Sequence, residues 1–145
     1  MRHMSPELTA QTALLLGLPK KTSADQMIAK IRSGLKPASA ERLAKTIGVP
    51  EGTMLSHLAI APRTVQRHRQ KKTVLAQSDS DRLYRAAHVL ARASETLGDA
   101  KRASQWMVAP NRALGGDSPL SLLDTEVGES RVMELLLRID HGLFS

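Results

Sequence analysis

Side chains that can hydrogen-bond the base edges and phosphates of DNA cluster in one short segment of this sequence, residues 62–72. The cluster comprises Arg63, Thr64, Gln66, Arg67, Arg69, Gln70, Lys71 and Lys72. Arg and Gln form paired hydrogen bonds with base edges, and cationic side chains also contact phosphates. No Asp or Glu occurs between Gly52 and Ala76 to neutralise these cations. The segment therefore predicts a DNA-contacting surface, in which Arg69, Lys71 and Lys72 are suited to phosphate contacts.

The same region has the layout of a helix-turn-helix. Two short helices are predicted within residues 53–70, joined by a tight turn at Ile60-Ala61-Pro62, and the second helix of such a unit enters the major groove. If Val65 is buried, a rotation of about 100° per residue directs Arg63 and Arg67 away from the core. The residues that flank them are Thr64, Gln66 and Gln70.

The N-cap position of the second helix holds Ala61, and a missing Ser or Asp cap typically costs about 1 kcal/mol. A solvated basic helix on an ordinary bundle is the alternative interpretation. A homodimer is expected, because helix-turn-helix proteins usually recognise two half-sites.

Charge is distributed unevenly along the 145 residues, whose formal net charge is +7. Residues 1–78 carry 13 basic and 4 acidic side chains, whereas residues 79–145 carry 8 basic and 10 acidic ones. A basic half suits a polyanion, and a weakly acidic half does not. The two halves are therefore expected to have different partners.

Nothing in the residue pattern favours an enzyme, a metal site or a bound cofactor. The chain has no Cys, which excludes disulfides, thiolate metal sites and a Cys nucleophile. The histidines are scattered without metal-ligand spacing, at positions 3, 57, 68, 88 and 141. Asp124 near Glu126 is better interpreted as part of a helix cap, and Gly115-Gly116 lacks the context of a phosphate loop.

No membrane segment or signal peptide is predicted. The longest apolar run, residues 13–18, is far shorter than the ~20 residues of a membrane span. We therefore expect a cytoplasmic protein. His3-Met4 is typical of a cloning junction, so Met4 is the expected native start.

The predicted fold is all-α, with seven or eight short helices. One Trp, one Tyr and one Phe leave a core of Leu, Ile, Val, Met and Ala, which suits helices. Glycines 17, 34, 48, 98 and 142 are predicted to end helices. The predicted N-caps are Ser23 (with Gln26 in a capping box), Ser39, Thr53, Ser78 or Ser80, and Asp124-Thr125. The helix before Gly98 is expected to have about 16 residues.

The C-terminal half carries a specific resemblance. The runs Trp106–Leu120, with Pro110-Asn111 and Leu114-Gly115-Gly116, and Leu122–Gly128, with Leu122-Leu123-Asp124-Thr125, resemble the toxin-binding domain of Xre-type antitoxins. These antitoxins, also called MbcA/ParS/Xre, belong to RES–Xre toxin–antitoxin pairs. The end, Ile139–Ser145, resembles the family's C-terminal pattern. Upstream, residues 62–67 and 80–85 resemble the recognition helix and the following helix of the family's helix-turn-helix. The resemblance spans most of residues 23–145, with Ala61 and Phe144 as departures from it.

The resemblance implies an N-terminal segment (1–22), an Xre-like helix-turn-helix domain (23–98) and a small helical toxin-binding domain (99–145). It implies an antitoxin that binds and inhibits a RES-domain, NAD+-consuming toxin by covering its active-site cleft with the C-terminal region. The same chain would repress its own operon and hold no NAD itself. Partners would be the toxin, operator DNA and a second copy of the chain or a higher toxin–antitoxin assembly. The implied toxin-binding residues are Asn111, Leu114, Gly115, Gly116, Asp140, His141, Leu143, Phe144 and Ser145.

Several alternatives stay open on the sequence alone. The chain could be a stand-alone regulator whose C-terminal half only oligomerises. Leu143 and Phe144 could fold back onto the chain's own core, or reach a partner's cleft with the Ser145 carboxylate as an added anion. Trp106 is expected to be a core anchor. Gly115 and Gly116 are expected to shape their loop.

Overall fold

A computed structural model describes residues 5–142, and this part of the chain is all-α, as predicted. The α-helices are α1 (Pro6–Leu15), α2 (Ala24–Ser33), α3 (Pro37–Ile47), α4 (Glu51–His57), α5 (Pro62–Lys71), α6 (Gln77–Leu97), α7 (Ala100–Val108) and α8 (Glu126–Asp140). Two 3₁₀ turns, Arg112–Leu114 and Leu120–Leu122, lie between α7 and α8. No helix within residues 5–142 combines the length and apolarity that spanning a bilayer requires.

The helix α6 is the central element of the fold. It packs against α1, α2 and α3 on the N-terminal side and against α7 and α8 on the C-terminal side. Its buried stripe includes Leu83, Leu90 and several alanines, whose small side chains let neighbouring helices approach closely. One buried apolar cluster therefore runs from α1 to α8, and α1 shares the core of the residues that follow it.

Two of the predicted helix caps are confirmed. The backbone N–H of Gln26 donates to Ser23 Oγ at 3.1 Å, while the N–H of Ser23 donates to Gln26 Oε1 at 2.9 Å, which completes a capping box. At the start of α8, the N–H of Gly128 donates to Thr125 Oγ1 at 3.0 Å. Sequence spacing identifies these caps because the hydrogen bonds that form them are local.

The other predicted caps are wrong, because the helices begin earlier and the hydroxyl groups have other roles. Thr53 lies inside α4, which begins at Glu51, and α6 has 21 residues and begins before Ser78. Ser39 is buried and donates to the carbonyl of Leu16 at 2.6 Å. Ser80 is buried and accepts the backbone N–H of Leu35 at 2.8 Å. The two serines satisfy backbone groups of distant segments, which local spacing does not reveal.

Gly34 is the point where the chain after α2 meets the loop after α5. Its φ of +106° is in a region that favours glycine, and a Cβ there would lie 2.2 Å from the carbonyl oxygen of Leu75. The N–H of Leu75 donates to the carbonyl of Leu35 at 2.8 Å, which fastens the two segments together. This close approach connects the end of α5 to the start of α3.

Candidate functional site

The helix-turn-helix predicted from the sequence is present as α4, a turn and α5. Leu55, Leu58 and Ile60 are buried in and before the turn, and the N–H of Ile60 donates to the carbonyl of Leu55 at 2.8 Å. Ala59 adopts a φ of +58°, which is uncommon for a residue with a side chain. Ala61 is the N-cap of α5 and supplies no side-chain hydrogen bond, as predicted. The turn is thus held by apolar packing and backbone hydrogen bonds.

One face of α5 is directed outward as the periodicity predicts. Val65 is only 1% exposed, and Arg63 and Arg67 are exposed on the other side of the helix. Gln66 and Gln70 are exposed beside them, and Thr64 is half-buried. Neither Arg63 nor Arg67 forms an ion pair with any residue of the described part of the chain. Both guanidinium groups are therefore available to an external polyanion.

Arg69 differs from the other cations of this helix. Its Nη2 lies 2.7 Å from Glu51 Oε2, and its Nη1 donates to Gln66 Oε1 at 2.7 Å. The guanidinium group thus lies against its own domain, whereas Lys71 and Lys72 are exposed and, within residues 5–142, have no acidic partner. The phosphate contact of Arg69 stays a prediction, and the geometry favours the two lysines for that role.

Sequence reasoning missed Glu51 as part of this site. The residue opens α4 and reaches across to α5, 18 positions along the chain. The available signal was that Glu51 is the only acidic residue between positions 42 and 78, a stretch rich in basic residues. Identifying its partner required the packing of α4 against α5.

Hydrogen bonds within residues 111–117 close the predicted toxin-binding loop. Asn111 Oδ1 accepts the N–H of Ala113 at 3.0 Å, and the N–H of Asn111 donates to the carbonyl of Asp117 at 3.1 Å. Leu114 is buried and anchors the loop, whereas Gly115 and Gly116 are exposed with φ values of +71° and +92°. Asn111 and Leu114 therefore hold the loop, and the two glycines form its outer surface.

The C-terminal end of α8 is joined to α6 by a buried ion pair. Arg92 on α6 has a side chain only 5% exposed, and its Nη2 binds Asp140 Oδ2. Its Nη1 also donates to Thr96 Oγ1 at 3.0 Å and lies 3.7 Å from Glu95 Oε1. Asp140 was predicted to contact the toxin, and the structure shows that its carboxylate is directed inward. His141 is exposed, and the predicted contacts Leu143, Phe144 and Ser145 lie outside the described residues.

A second polar cluster, which the sequence did not reveal, lies where α6 meets α8. Arg85 donates to the carbonyl of Leu123 at 3.0 Å and lies 3.4 Å from Glu129 Oε1. The rings of Tyr84 and His88 stack with centroids 5.6 Å apart. Burial, followed by the charges of Glu129 and Asp81, raises the pKa of Tyr84 to about 12. Arg85 thus links α6 both to the loop at Leu123 and to Glu129 of α8.

Trp106, predicted to be a core anchor, is half-buried and packs against the edge of the apolar cluster without being one of its buried members. Within residues 5–142, no three His, Asp or Glu side chains converge as metal ligands would.

Comparison with known proteins agrees with this geometry. The family model described as "Antitoxin Xre-like helix-turn-helix domain" matches residues 26–88, which include α4 and α5. The family model described as "Antitoxin Xre/MbcA/ParS C-terminal toxin-binding domain" matches residues 92–142, which include the 111–117 loop and α8. The match of the C-terminal half to a toxin-binding domain favours an antitoxin over a stand-alone regulator.

Three curated relatives extend the comparison over 81% to 100% of the chain. Antitoxin Xre of Photorhabdus laumondii is 32% identical and covers 100% of both chains. Antitoxin Xre of Pseudomonas putida is 31% identical over 94% of this chain and 84% of the relative. The "Prs ADP-ribosylating antitoxin" of a Sphingobium species is 25% identical over 81% of this chain and 80% of the relative.

The fold and the two surfaces define a DNA-binding antitoxin of a toxin–antitoxin system, with a helix-turn-helix and a toxin-binding domain on one chain. The chain belongs to the Xre antitoxin family.

Proposed function

We propose that this antitoxin inhibits a RES-domain toxin that consumes NAD+, by covering the toxin's active-site cleft with its C-terminal region. We also propose that the helix-turn-helix represses the antitoxin's own operon. The toxin class is supported by the sequence resemblance, and the name of the Sphingobium relative, which refers to ADP-ribosylation, is compatible with it. In this proposal NAD+ is bound by the toxin, and the antitoxin acts by binding and has no catalytic step.

The position of the end of α8 carries the toxin-binding proposal. The Arg92–Asp140 pair fixes the last residue of the helix against α6, while His141 and Gly142 are exposed directly after it. Gly142, the last described residue, therefore lies at a surface point whose position is determined by the Arg92–Asp140 contact. A rigid starting point reduces the entropy that a short segment loses when it enters a partner's cleft. Leu143, Phe144 and Ser145 are the proposed contacts, together with His141 and the loop at Gly115 and Gly116.

The outward face of α5 carries the DNA-binding proposal. Arg63, Thr64, Gln66, Arg67 and Gln70 would contact base edges, and Lys71 and Lys72 would contact phosphates. A homodimer would place two such helices in successive major grooves, one helical turn apart. Two half-sites in the promoter region of the antitoxin's own operon are the expected operator.

Truncation of the chain after Gly142 tests the toxin-binding proposal. The full-length antitoxin first captures its toxin from native-host lysate, and the NAD+ consumption of that toxin is measured at increasing antitoxin concentration. The full chain is used because α6 takes part in the core of both halves, so a C-terminal fragment that begins inside α6 would lose its packing. Removing residues 143–145 leaves Asp140 in place, so that the buried Arg92 keeps its partner.

Under the proposal, the truncated antitoxin loses most of its inhibition and keeps the melting temperature and DNA affinity of the full chain. Arg67→Ala is the matched control, since it alters DNA binding and leaves inhibition intact. Inhibition by the truncated chain equal to that of the full chain would refute the role of the C-terminal residues. Capture of a toxin that does not consume NAD+ would refute the RES assignment.

A further inference from the structure

We propose that Glu51 and Arg69 are positioning residues that fix the side-chain amide of Gln66, and thereby determine which base Gln66 recognises. This inference rests on the proposed function in one respect, the assignment of Gln66 to the base-contacting face of α5. Neither Glu51 nor Arg69 is required to touch DNA. Both act through the orientation of a neighbouring side chain.

The geometry is a chain of two hydrogen bonds between α4 and α5. Glu51 Oε2 accepts from Arg69 Nη2 at 2.7 Å, and Arg69 Nη1 donates to Gln66 Oε1 at 2.7 Å. Gln66 and Arg69 are three residues apart on α5, which places them on neighbouring positions of one helix face. The planar guanidinium group holds its two acceptors in a fixed relative orientation. Glu51 thus determines where Arg69 lies, and Arg69 determines how Gln66 is turned.

The direction of the Gln66 amide follows from hydrogen-bond chemistry. A guanidinium group has only donors, so only the carbonyl oxygen of the amide can face Arg69. The NH₂ group of Gln66 is then the part left free, and Gln66 is exposed on the outer side of α5. The side chain is therefore presented to a partner as a hydrogen-bond donor.

This orientation changes the base that a glutamine prefers. An unconstrained Gln pairs with adenine by accepting from N6 and donating to N7, which uses both halves of the amide. Arg69 engages one lone pair of the Gln66 oxygen, so the NH₂ group is the part of the amide best placed to contact a base. The major-groove acceptors for that NH₂ group are N7 of adenine, N7 and O6 of guanine and O4 of thymine. Cytosine presents a donor in the major groove and would be rejected. We therefore expect guanine, which presents two adjacent acceptors to the NH₂ group, to be preferred over adenine, which keeps only its N7 contact, at the base position that Gln66 contacts.

The ion pair also predicts how the DNA affinity depends on salt. Arg69 is neutralised by Glu51, so Arg69 contributes little to the displacement of counterions from DNA. Each lost phosphate contact lowers the slope of log affinity against log salt concentration by about 0.9. Loss of Arg69 should leave this slope unchanged, whereas loss of Lys72, which is exposed and has no acidic partner within residues 5–142, should lower it by about 0.9.

Selection of binding sites from a library of random duplexes tests the inference, and it does not require the operator sequence. Full-length wild-type protein, Gln66→Ala, Arg69→Met and Glu51→Gln are each used for selection, and the enriched duplexes are sequenced. Methionine keeps the apolar stem and the helix propensity of arginine and removes the guanidinium group. Affinities for the wild-type site are then measured across a series of salt concentrations, with Lys72→Met as the control.

The expected result has three parts. Gln66→Ala abolishes the preference for guanine at one position, where the wild type discriminates against adenine by about 5-fold, the lower end of the range for a base contact. Arg69→Met shifts the preference at that same position toward adenine, and Glu51→Gln shifts it in the same direction. The salt slope changes for Lys72→Met and does not change for Arg69→Met. A merely structural role for Arg69 would lower affinity for all sequences and would not change one base preference.

Other results would overturn the inference in distinguishable ways. If Gln66→Ala alters one position but Arg69→Met and Glu51→Gln do not, the positioning role is wrong and DNA recognition by α5 stands. If Arg69→Met weakens all sequences equally and lowers the salt slope, Arg69 is a phosphate contact. If the wild-type protein selects no site, the proposed DNA-binding function itself fails. Glu51→Gln keeps the side-chain shape, and its ion pair with Arg69 is partly exposed, so the loss of charge costs roughly 1 kcal/mol and this variant stays folded.

Discussion

Replacing Asp140 with Ala removes the charge that faces the buried guanidinium group of Arg92. The Arg92 side chain is 5% exposed and that of Asp140 is 26% exposed. After the replacement, the remaining partners of Arg92 are the hydroxyl of Thr96 at 3.0 Å and the carboxylate of Glu95 at 3.7 Å. A cation that loses its principal partner while it stays buried is costly, because water cannot replace the lost interaction.

The magnitude follows from the burial of the two groups. Breaking a fully buried pair by removing one partner costs about 3–5 kcal/mol. Asp140 is partly exposed and Glu95 still faces Arg92, so we expect a loss of about 2–3 kcal/mol in the free energy of unfolding. For a chain of this size, that loss lowers the melting temperature by roughly 4–12 °C.

Whether Asp140→Ala lowers or raises the stability of the protein distinguishes the buried ion pair from local helix energetics. Asp140 is the last residue of α8, where the helix dipole disfavours a negative charge by about 0.3–1 kcal/mol. Alanine also has the highest helix propensity. Local helix energetics alone therefore predict that Asp140→Ala stabilises the protein, whereas the buried ion pair predicts a clear loss.

Thermal and urea unfolding, followed by circular dichroism at 222 nm, measure the difference. Glu134→Ala is the matched control on the same helix, because Glu134 pairs with Arg138 at 2.6 Å on an exposed surface and should contribute only about 0.5 kcal/mol. The double variant Arg92→Met, Asp140→Leu should recover most of the lost stability, since apolar pairs often replace buried ion pairs without loss. A melting temperature for Asp140→Ala equal to or above that of the wild type would refute the reasoning.

Three further predictions concern single residues. Tyr84 is the only tyrosine, so absorbance at 295 nm should show its titration near the pKa of about 12 in the folded protein and near the ordinary value of about 10 in guanidinium chloride. Because the folded state holds the phenol proton more tightly, the free energy of unfolding should fall as the pH rises from about 10 toward 12. Tyr84→Phe should remove this pH dependence. A titration midpoint near 10 in the folded protein would contradict the prediction. Gly128→Ala should lower the melting temperature, because the new Cβ would lie 1.8 Å from the carbonyl oxygen of Leu122. Gly52→Ala is the control and should raise the melting temperature, because no atom lies within 4 Å of its new Cβ and alanine favours a helix. Equal effects of the two substitutions would refute the clash at Gly128. Arg67→Ala should weaken binding by about 1–3 kcal/mol at one base position, and a loss that is uniform across sequences in a competition assay would make Arg67 a phosphate contact.

Three of the predicted helix ends are confirmed at glycine C-caps, whereas Gly17 and Gly142 lie one residue beyond the C-cap residues Leu16 and His141. Gly34, Gly48 and Gly98 each follow a helix, as the sequence indicated, because a positive φ is a local property of glycine. The starts at Ser39 and Ser80 were wrong, because both hydroxyl groups bond backbone atoms of segments 23 and 45 residues away. A hydroxyl group near a helix start is compatible with either role, and only the tertiary structure decides between them.

In the candidate site, features set by neighbouring residues could be predicted from the sequence, and contacts between distant residues could not. The outward direction of Arg63 and Arg67 follows from helical periodicity and the burial of Val65, so it could be predicted. The pairs Glu51–Arg69 and Arg92–Asp140 join residues 18 and 48 positions apart, and sequence spacing carries no signal for them. Both pairs hold these side chains against their own domain, and the outside contacts predicted for Arg69 and Asp140 stay predictions.

The central position of α6 determines which experiments can separate the two functions. Because α6 packs against α1, α2 and α3 as well as α7 and α8, both halves of the antitoxin share one apolar cluster. A change inside this cluster, at Leu90 for example, would destabilise the DNA-binding and the toxin-binding surfaces together. Arg67 is exposed at one surface and His141 at the other, so neither contributes to the shared core. Loss of one activity without the other is therefore informative only when it is produced by surface changes of this kind, in a chain whose melting temperature is unchanged.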